Sequence, residues 1–148
     1  MKAWWIPFAV ACALLSPSAL AEMLTVKVNR ANFRDGPSST ASILYTADKY
    51  FTVEVLERQK EWIKTKDFEG DIAWVAAHLL DSTSAVVVHV DSALVREAPN
   101  KDATVAFKVG RGEGVMVHQR QGAWIHVSTV DGNKGWVHRN VVWGDGAK

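Results

Sequence analysis

The chain has 148 residues, with 17 Lys and Arg against 16 Asp and Glu and a formal net charge of +1 with histidine neutral. That balance argues against a nucleic-acid binder, which usually carries a basic excess, and no block of like charge offers an electrostatic footprint for a polyanion. The only cysteine is Cys12, so the chain cannot carry an internal disulfide framework.

Residues 1–21 read "MKAWWIPFAVACALLSPSALA". One positive charge at Lys2 precedes an apolar run from Ala3 to Leu15, then a Ser/Pro break, then Ala19-Leu20-Ala21. This is the layout of a cleaved secretory signal peptide, with small residues three before and one before the cut. The apolar run is shorter than the roughly 20 residues a membrane span needs, and Pro7 interrupts it. An uncleaved anchor is the alternative that these features disfavour. Cys12 has Ala9 where a lipoprotein signal wants Leu, so it reads as an apolar filler that leaves with the signal. The remaining chain has 16 basic and 16 acidic residues and no thiol.

Beyond the signal the pattern is that of strands. "TVKVNRANF" (25–33) alternates, with Val26 and Val28 on one face. Asp35-Gly36-Pro37 marks a turn. "FTVEVLE" (51–57) places Val53 and Val55 together with Glu54 between them. In "AWVAAHLL" one helical or 3₁₀ turn is expected at Ala76–His78. "DSTSA" (81–85) is too short for a flexible tether, so the segments on its two sides should touch. "GVMVHQR" (114–120) then repeats the alternation with Val115 and Val117, and "AWIHVSTV" (123–130) puts Ile125 and Val127 opposite Trp124 and His126. "KGWVHRNVV" (134–142) opens a last short strand. Gly110–Gly114, Gln121-Gly122 and Asp131-Gly132-Asn133 supply the turns between these runs.

The chain also repeats. Shifted by 62 residues, 25–81 meets 87–143 at fifteen identical positions without a gap, among them Arg34/Arg96, Pro37/Pro99, Trp62-Ile63/Trp124-Ile125 and Trp74-Val75/Trp136-Val137. Rare residues do not fall on one offset by chance, so the chain holds two copies of one small module. The division expected is 1–21 signal peptide, 22–82 copy 1 and 83–148 copy 2. Each copy alone would bury little surface, and packing one on the other would help.

The ordered phrases "NFRDGPS", "VEVLERQKEWIKT" and "DFEGDIAWVAAHLL", repeated as "LVREAPN", "GAWIHV" and "DGNKGWVHRNVV", resemble the bacterial SH3-like domain family over nearly the whole chain after the signal. The resemblance implies an all-β fold of two tandem small SH3-like β-barrels. It also implies export, attachment to the cell envelope and a binding role beside cell-wall hydrolases. The copies depart from the family phrase at Leu94 (for Asn), Ala98 (for Gly) and Ala73 (for Gly). Those departures put the turn geometry there in question and leave room for a site in only one copy.

Fold does not fix function, so candidate residues are weighed singly. Trp62 and Trp124 point away from the core beside Lys64 and His126. They are either ligand platforms for sugar rings or peptide side chains, or covers for the second face of the barrel. Trp74 and Trp136 of the closing phrase share that choice. Arg34 and Arg96 either fork a ligand carboxylate or bond locally to turn carbonyls. Tyr50 is the surface candidate among the tyrosines, whereas Tyr45 and Phe107 read as core. No pair of histidines has metal-ligand spacing and no G-x-S-x-G phrase occurs. Asp67, Glu69 and Asp71 read as a solvated turn rather than a glycosidase pair. The expectation is a non-catalytic, exported binding module without metal or cofactor, in the periplasm by preference or else secreted or attached to the envelope. Its partner is a cell-wall peptide or glycan, or alternatively a periplasmic protein, with no nucleic acid and no membrane span after the signal.

Overall fold

The structure is a computed structural model and describes residues 20–146. The signal peptide expected over 1–21 therefore lies outside the described residues except for Leu20 and Ala21. Among the described residues no helix is long and apolar enough to cross a membrane.

The first copy consists of β1 (Met23–Val26), β2 (Arg30–Arg34), β3 (Ile43–Asp48), β4 (Thr52–Gln59), β5 (Trp62–Lys66), β6 (Ile72–Ala76) and β7 (Leu80–Asp81). The second consists of β8 (Ala85–Val88), β9 (Ser92–Arg96), β10 (Val105–Gly110), β11 (Gly114–Gln121), β12 (Trp124–Ser128), β13 (Lys134–His138) and β14 (Val142–Trp143). Each forms one antiparallel sheet, and the orders match: β3-β2-β6-β5-β4-β1-β7 and β10-β9-β13-β12-β11-β8-β14. A 3₁₀ turn precedes the last strand of each copy, at Ala77–Leu79 and Arg139–Val141. The first lies one residue later than the sequence suggested.

The alternation expected of the central strands is present. Ile63 and Thr65 are buried between half-buried Trp62, Lys64 and Lys66, and Ile125 and Val127 are buried between Trp124 and His126. Val26, Phe33, Ile63 and Val75, from four strands of one sheet, share a single cluster. The sheet must therefore curl around them, which is what makes a barrel of it. The first core is aromatic, with Tyr45 stacked on Phe33 at 4.8 Å between ring centroids and Phe51 edge-on to both. The second core is aliphatic, built largely of valine. Both copies carry a β-bulge at the same place, between Val55 and Glu57 and between Val117 and Gln119. The extra residue is Leu56 in one and His118 in the other.

Three expectations are corrected. The run 25–33 is two strands, because the chain leaves the sheet at Lys27–Asn29. There Lys27 N–H donates to Leu79 O, while Tyr50 N–H takes Val26 O, so the chain crosses to new partners. Asp67 is buried, not solvated. Its Oδ1 accepts from the backbone N–H groups of Glu69 and Asp71 and so closes the β5–β6 turn. Burial raises the pKa of the Tyr45 hydroxyl well above its ordinary value, and the Asp67 carboxylate adds to that. Finally, the departures from the family phrase leave the turns alike. Arg34 Nη1 donates to Ala41 O and Arg96 Nη1 to Ala103 O, both at 2.8 Å. A Cβ at Gly36 would make only an ordinary contact with Ala41, so Ala98 fits the same turn. A Cβ at Gly135 would collide with Cγ1 of Val95 at 2.5 Å. The matching position in copy 1 is Ala73 beside Phe33, which has no branch at Cβ.

The two copies interlock through β8, whose four residues are all buried. Val86 and Val88 enter the second core, but Val87 belongs to the first. Its counterpart, Thr25, sits at the junction. There its hydroxyl donates to Thr83 O at 2.8 Å and lies 3.2 Å from the Thr52 hydroxyl. A Cβ on Gly114 would lie 2.2 Å from both C and O of Tyr50, so the two backbones meet there with no room for a side chain. Beside this seam the Arg111 guanidinium lies 5.3 Å over Phe68, which is itself edge-on to Phe51. Such a cation–π contact is worth about 0.5–1 kcal/mol where exposed.

Overpacking at a closed contact costs about 1–3 kcal/mol. Gly114→Ala should therefore lower the stability measured by urea unfolding by that much. Gly146→Ala, where a Cβ meets nothing within 4 Å, should leave it unchanged. An unaltered stability in Gly114→Ala would contradict the close approach.

Candidate functional site

The turn phrase and the start of β5 come together on the first copy. Asp35 N–H bonds to Ser42 O and Ser42 N–H to Asp35 Oδ1, which closes the loop from 35 to 42. Arg34 adds its bond to Ala41 O across the same loop. Held in this way, the loop presents Pro37 and Ser38 towards Trp62. Between them lies a groove of about 570 Å³, lined among others by Asn32, Arg34, Pro37, Glu61, Trp62 and His78. Pro37, Glu61 and Trp62 also line a second hollow of about 440 Å³ with Gln59 and Lys60. The Trp62 side chain is thus flanked by open space on two sides, and it is half-buried.

The groove exists because of what stands beside the tryptophan. Trp62 is paired across the sheet with Ala76, a small residue. In the second copy Trp124 is paired with His138. That ring packs edge-on against the indole, with centroids 5.2 Å apart and planes at 87°. Asn32 and Glu61 are replaced there by Leu94 and Ala123. The same backbone therefore carries an open groove with polar walls in one copy and a tryptophan faced by a histidine in the other.

The residues singled out from sequence divide accordingly. The structure brings Arg34 and Trp62 together at the groove. Trp74 lies on the same outer face but further along, beside Arg34 in the sheet register and with Lys64 Nζ 6.0 Å from its ring centre. Tyr50 is not part of this site. It sits in the β3–β4 turn at a φ of 73°, pressed against Gly114. The matching residue is Gly112 at φ 82°, so a tyrosine occupies a left-handed position that glycine takes without strain. Arg96, Trp124 and Trp136 hold the equivalent places in copy 2. Sequence reasoning missed Asn32, Glu61 and His78. Glu61 adjoins Trp62 and was open to inspection, whereas His78 reaches the groove only through the 3₁₀ turn.

The second copy's outer face has its own order. His126 lies 4.9 Å from Trp136 and 5.5 Å from His118, centroid to centroid. His118 Nε2 is 2.8 Å from the Ser128 hydroxyl. Burial, then the His118 and Lys134 charges, hold the His126 pKa below its ordinary value. Among the described residues no cluster of three or more His, Cys, Asp or Glu could hold a metal ion.

The family model described as "Bacterial SH3 domain" matches residues 29–81 and again 91–142. The chain belongs to the bacterial SH3 domain family. Its two SH3 copies coincide with the two sheets, as the repeat implied. No curated protein matches the chain. Among solved structures it is similar to NlpC1 from Trichomonas vaginalis, at 12% identity and a TM-score of 0.38, over 88% of this chain and 48% of that one. It is also similar to an NlpC/P60 family protein from Bacillus cereus ATCC 10987, at 13% identity and a TM-score of 0.39, over 82% and 56%. The chain thus spans about half the length of these structures.

The lowered pKa of His126 sets a sign. The unfolded chain takes up this proton first, near the ordinary value of about 6.5. This histidine's contribution to stability is therefore full above that pH and is lost as pH falls through the lower folded value. An NMR titration of the imidazole Cε1–H signals should place the His126 midpoint below about 6.5, and His118→Gln should move it up. A midpoint at or above the ordinary value would contradict the packing described.

Proposed function

We propose that the protein is an exported, non-catalytic binding module of the cell envelope, built of SH3 domains over residues 22–82 and 83–148. Its principal ligand is peptidoglycan or a peptide of the wall, held in the groove of the first SH3 domain. The observation that carries this reading is the groove itself, where the Trp62 side chain stands open beside Pro37, with Arg34, Asn32 and Glu61 around it. An indole supplies large amphipathic contact area for a sugar ring or a side chain, and a few convergent polar groups then fix orientation. Arg34 is already anchored to Ala41 O through Nη1, so its guanidinium is pre-positioned for a carboxylate rather than free to wander. The layout of residues 1–21 supports export, with the periplasm the favoured compartment.

The adaptor reading, in which the same groove takes a segment of a periplasmic protein, uses the same residues. It differs in what the protein captures.

The test is cosedimentation of the purified protein with insoluble peptidoglycan. Native protein should pellet with the wall, and Trp62→Ala should weaken binding about tenfold or more, as expected of an aromatic anchor worth at least about 1.4 kcal/mol. Trp124→Ala, at the position faced by His138, should change little. Absence of the native protein from the pellet would refute the wall reading, and equal loss in both variants would refute assignment of the site to one domain.

A further inference from the structure

The outer faces of the two SH3 domains share a backbone and differ in charge. In the first, β4 contributes Glu54 and Glu57 and β5 contributes Lys64 and Lys66. Glu54 and Lys66 form an ion pair at 3.2 Å, and Glu57 stands across the sheet from Lys64. This face neutralises itself. In the second, Met116 and Gln119 replace the two glutamates, and His126 and Ser128 replace the two lysines. The bulge residue changes from Leu56 to His118. Because a bulge re-aims its extra residue, His118 reaches Ser128 and stands beside His126.

None of the four strands β9, β11, β12 and β13 contains an Asp or Glu. The charged and titratable groups facing His126 from them are His118 on β11, Lys134 and His138 on β13, and Arg96 on β9 beyond it. Every one is neutral or cationic. The remaining outward groups on β11 are Met116, Gln119 and Gln121. Trp136 stacks beside His126 and supplies a flat apolar contact.

We propose that this histidine–tryptophan face is a second binding surface, separate from the first domain's groove, that takes an acidic peptide segment and takes it more tightly as the histidines protonate. The argument is charge complementarity. An imidazole gains a positive charge in acid, here next to Lys134, and nothing on these strands answers it. Asp and Glu side chains from a ligand would do so, with charge-assisted bonds to imidazolium N–H groups. At higher pH the face keeps only the Lys134 and Arg96 charges and the contact of Trp136. Bound carboxylates would offset the His118 and Lys134 charges that, after burial, lower the His126 pKa, so binding and proton uptake reinforce one another.

The probe is an N-acetylated, amidated hexa-aspartate peptide, whose carboxylates stay ionised above about pH 5. It is titrated into the isotope-labelled full protein at low salt and followed by NMR at about pH 5 and about pH 7.5. Shifts should centre on His118, His126 and the Trp136 indole, with affinity about fivefold to tenfold greater at the lower pH, as one or two added exposed ion pairs would give. The asparagine counterpart of the peptide should not bind at either pH. His118→Gln with His126→Gln should abolish the pH dependence, while Trp62→Ala should leave it intact. His126→Lys, which installs the residue the first domain carries at that position, keeps a cation at all pH values and should narrow the difference between the two affinities. Equal affinity at both pH values in the native protein would overturn the proposal. So would shifts centred on Arg34 and Trp62, binding of polyphosphate but not of hexa-aspartate, or an undiminished pH dependence in His126→Lys.

Discussion

A single strand buried on both faces holds this structure together. In β8 the side chains of Val86 and Val88 go one way and that of Val87 goes the other, as the pleat of any strand requires. Because Val87 enters the first core, the second barrel cannot form its first strand in the native place without also completing its neighbour. Gly114 sets the distance of approach, since its backbone lies against Tyr50 where even a methyl group would not fit. The buried Thr25 and Thr52 hydroxyls face each other on the first copy's side of the seam and use Thr83 O and Tyr50 O, so its polar groups are not left unpaired. Neither barrel has a large core of its own, and the junction adds to both.

Once the frame was shared, the surfaces were free to differ. Ala76 and His138 lie at the same place in the sheet, and the difference in their size leaves one tryptophan open and the other faced by a ring. The positions that set charge, Glu54, Glu57 and Lys64 against Met116, Gln119 and His126, decide whether the outer face balances itself. Both sets lie on the outer face, away from Ile63 and Ile125, which hold the same place in the two cores. Duplication here kept the backbone frame and the outward tryptophans, while both the core side chains and the rest of the outer face diverged.

Much of this was legible in the sequence. The fixed offset of the repeat gave the number of modules, and the alternation in β5 and β12 correctly turned the tryptophans outward. The family phrase supplied the barrel. What stayed hidden depended on partners far along the chain. The break at Lys27–Asn29 follows from bonds to Leu79 and Tyr50, which no local pattern shows. Burial of Asp67 likewise came from tertiary placement, since its neighbours Glu69 and Asp71 are exposed. The edge strands β3 and β10 had no alternation to read, because most of their residues face solvent. Yet "AVVVHV" did carry a signal. A continuous valine run is the mark of a strand covered on both sides, and the first copy's "LTVKV", with Thr25 in place of Val87, lacks it.

The central claim is that the two SH3 domains are one cooperative body rather than beads on a chain. It is tested most directly by urea unfolding followed by NMR, with the Trp62 indole reporting on the first domain and the Trp124 indole on the second. A shared core and a closed seam predict one transition, with both indoles lost at the same urea concentration. Separate midpoints, with one domain unfolding while the other stays native, would contradict it.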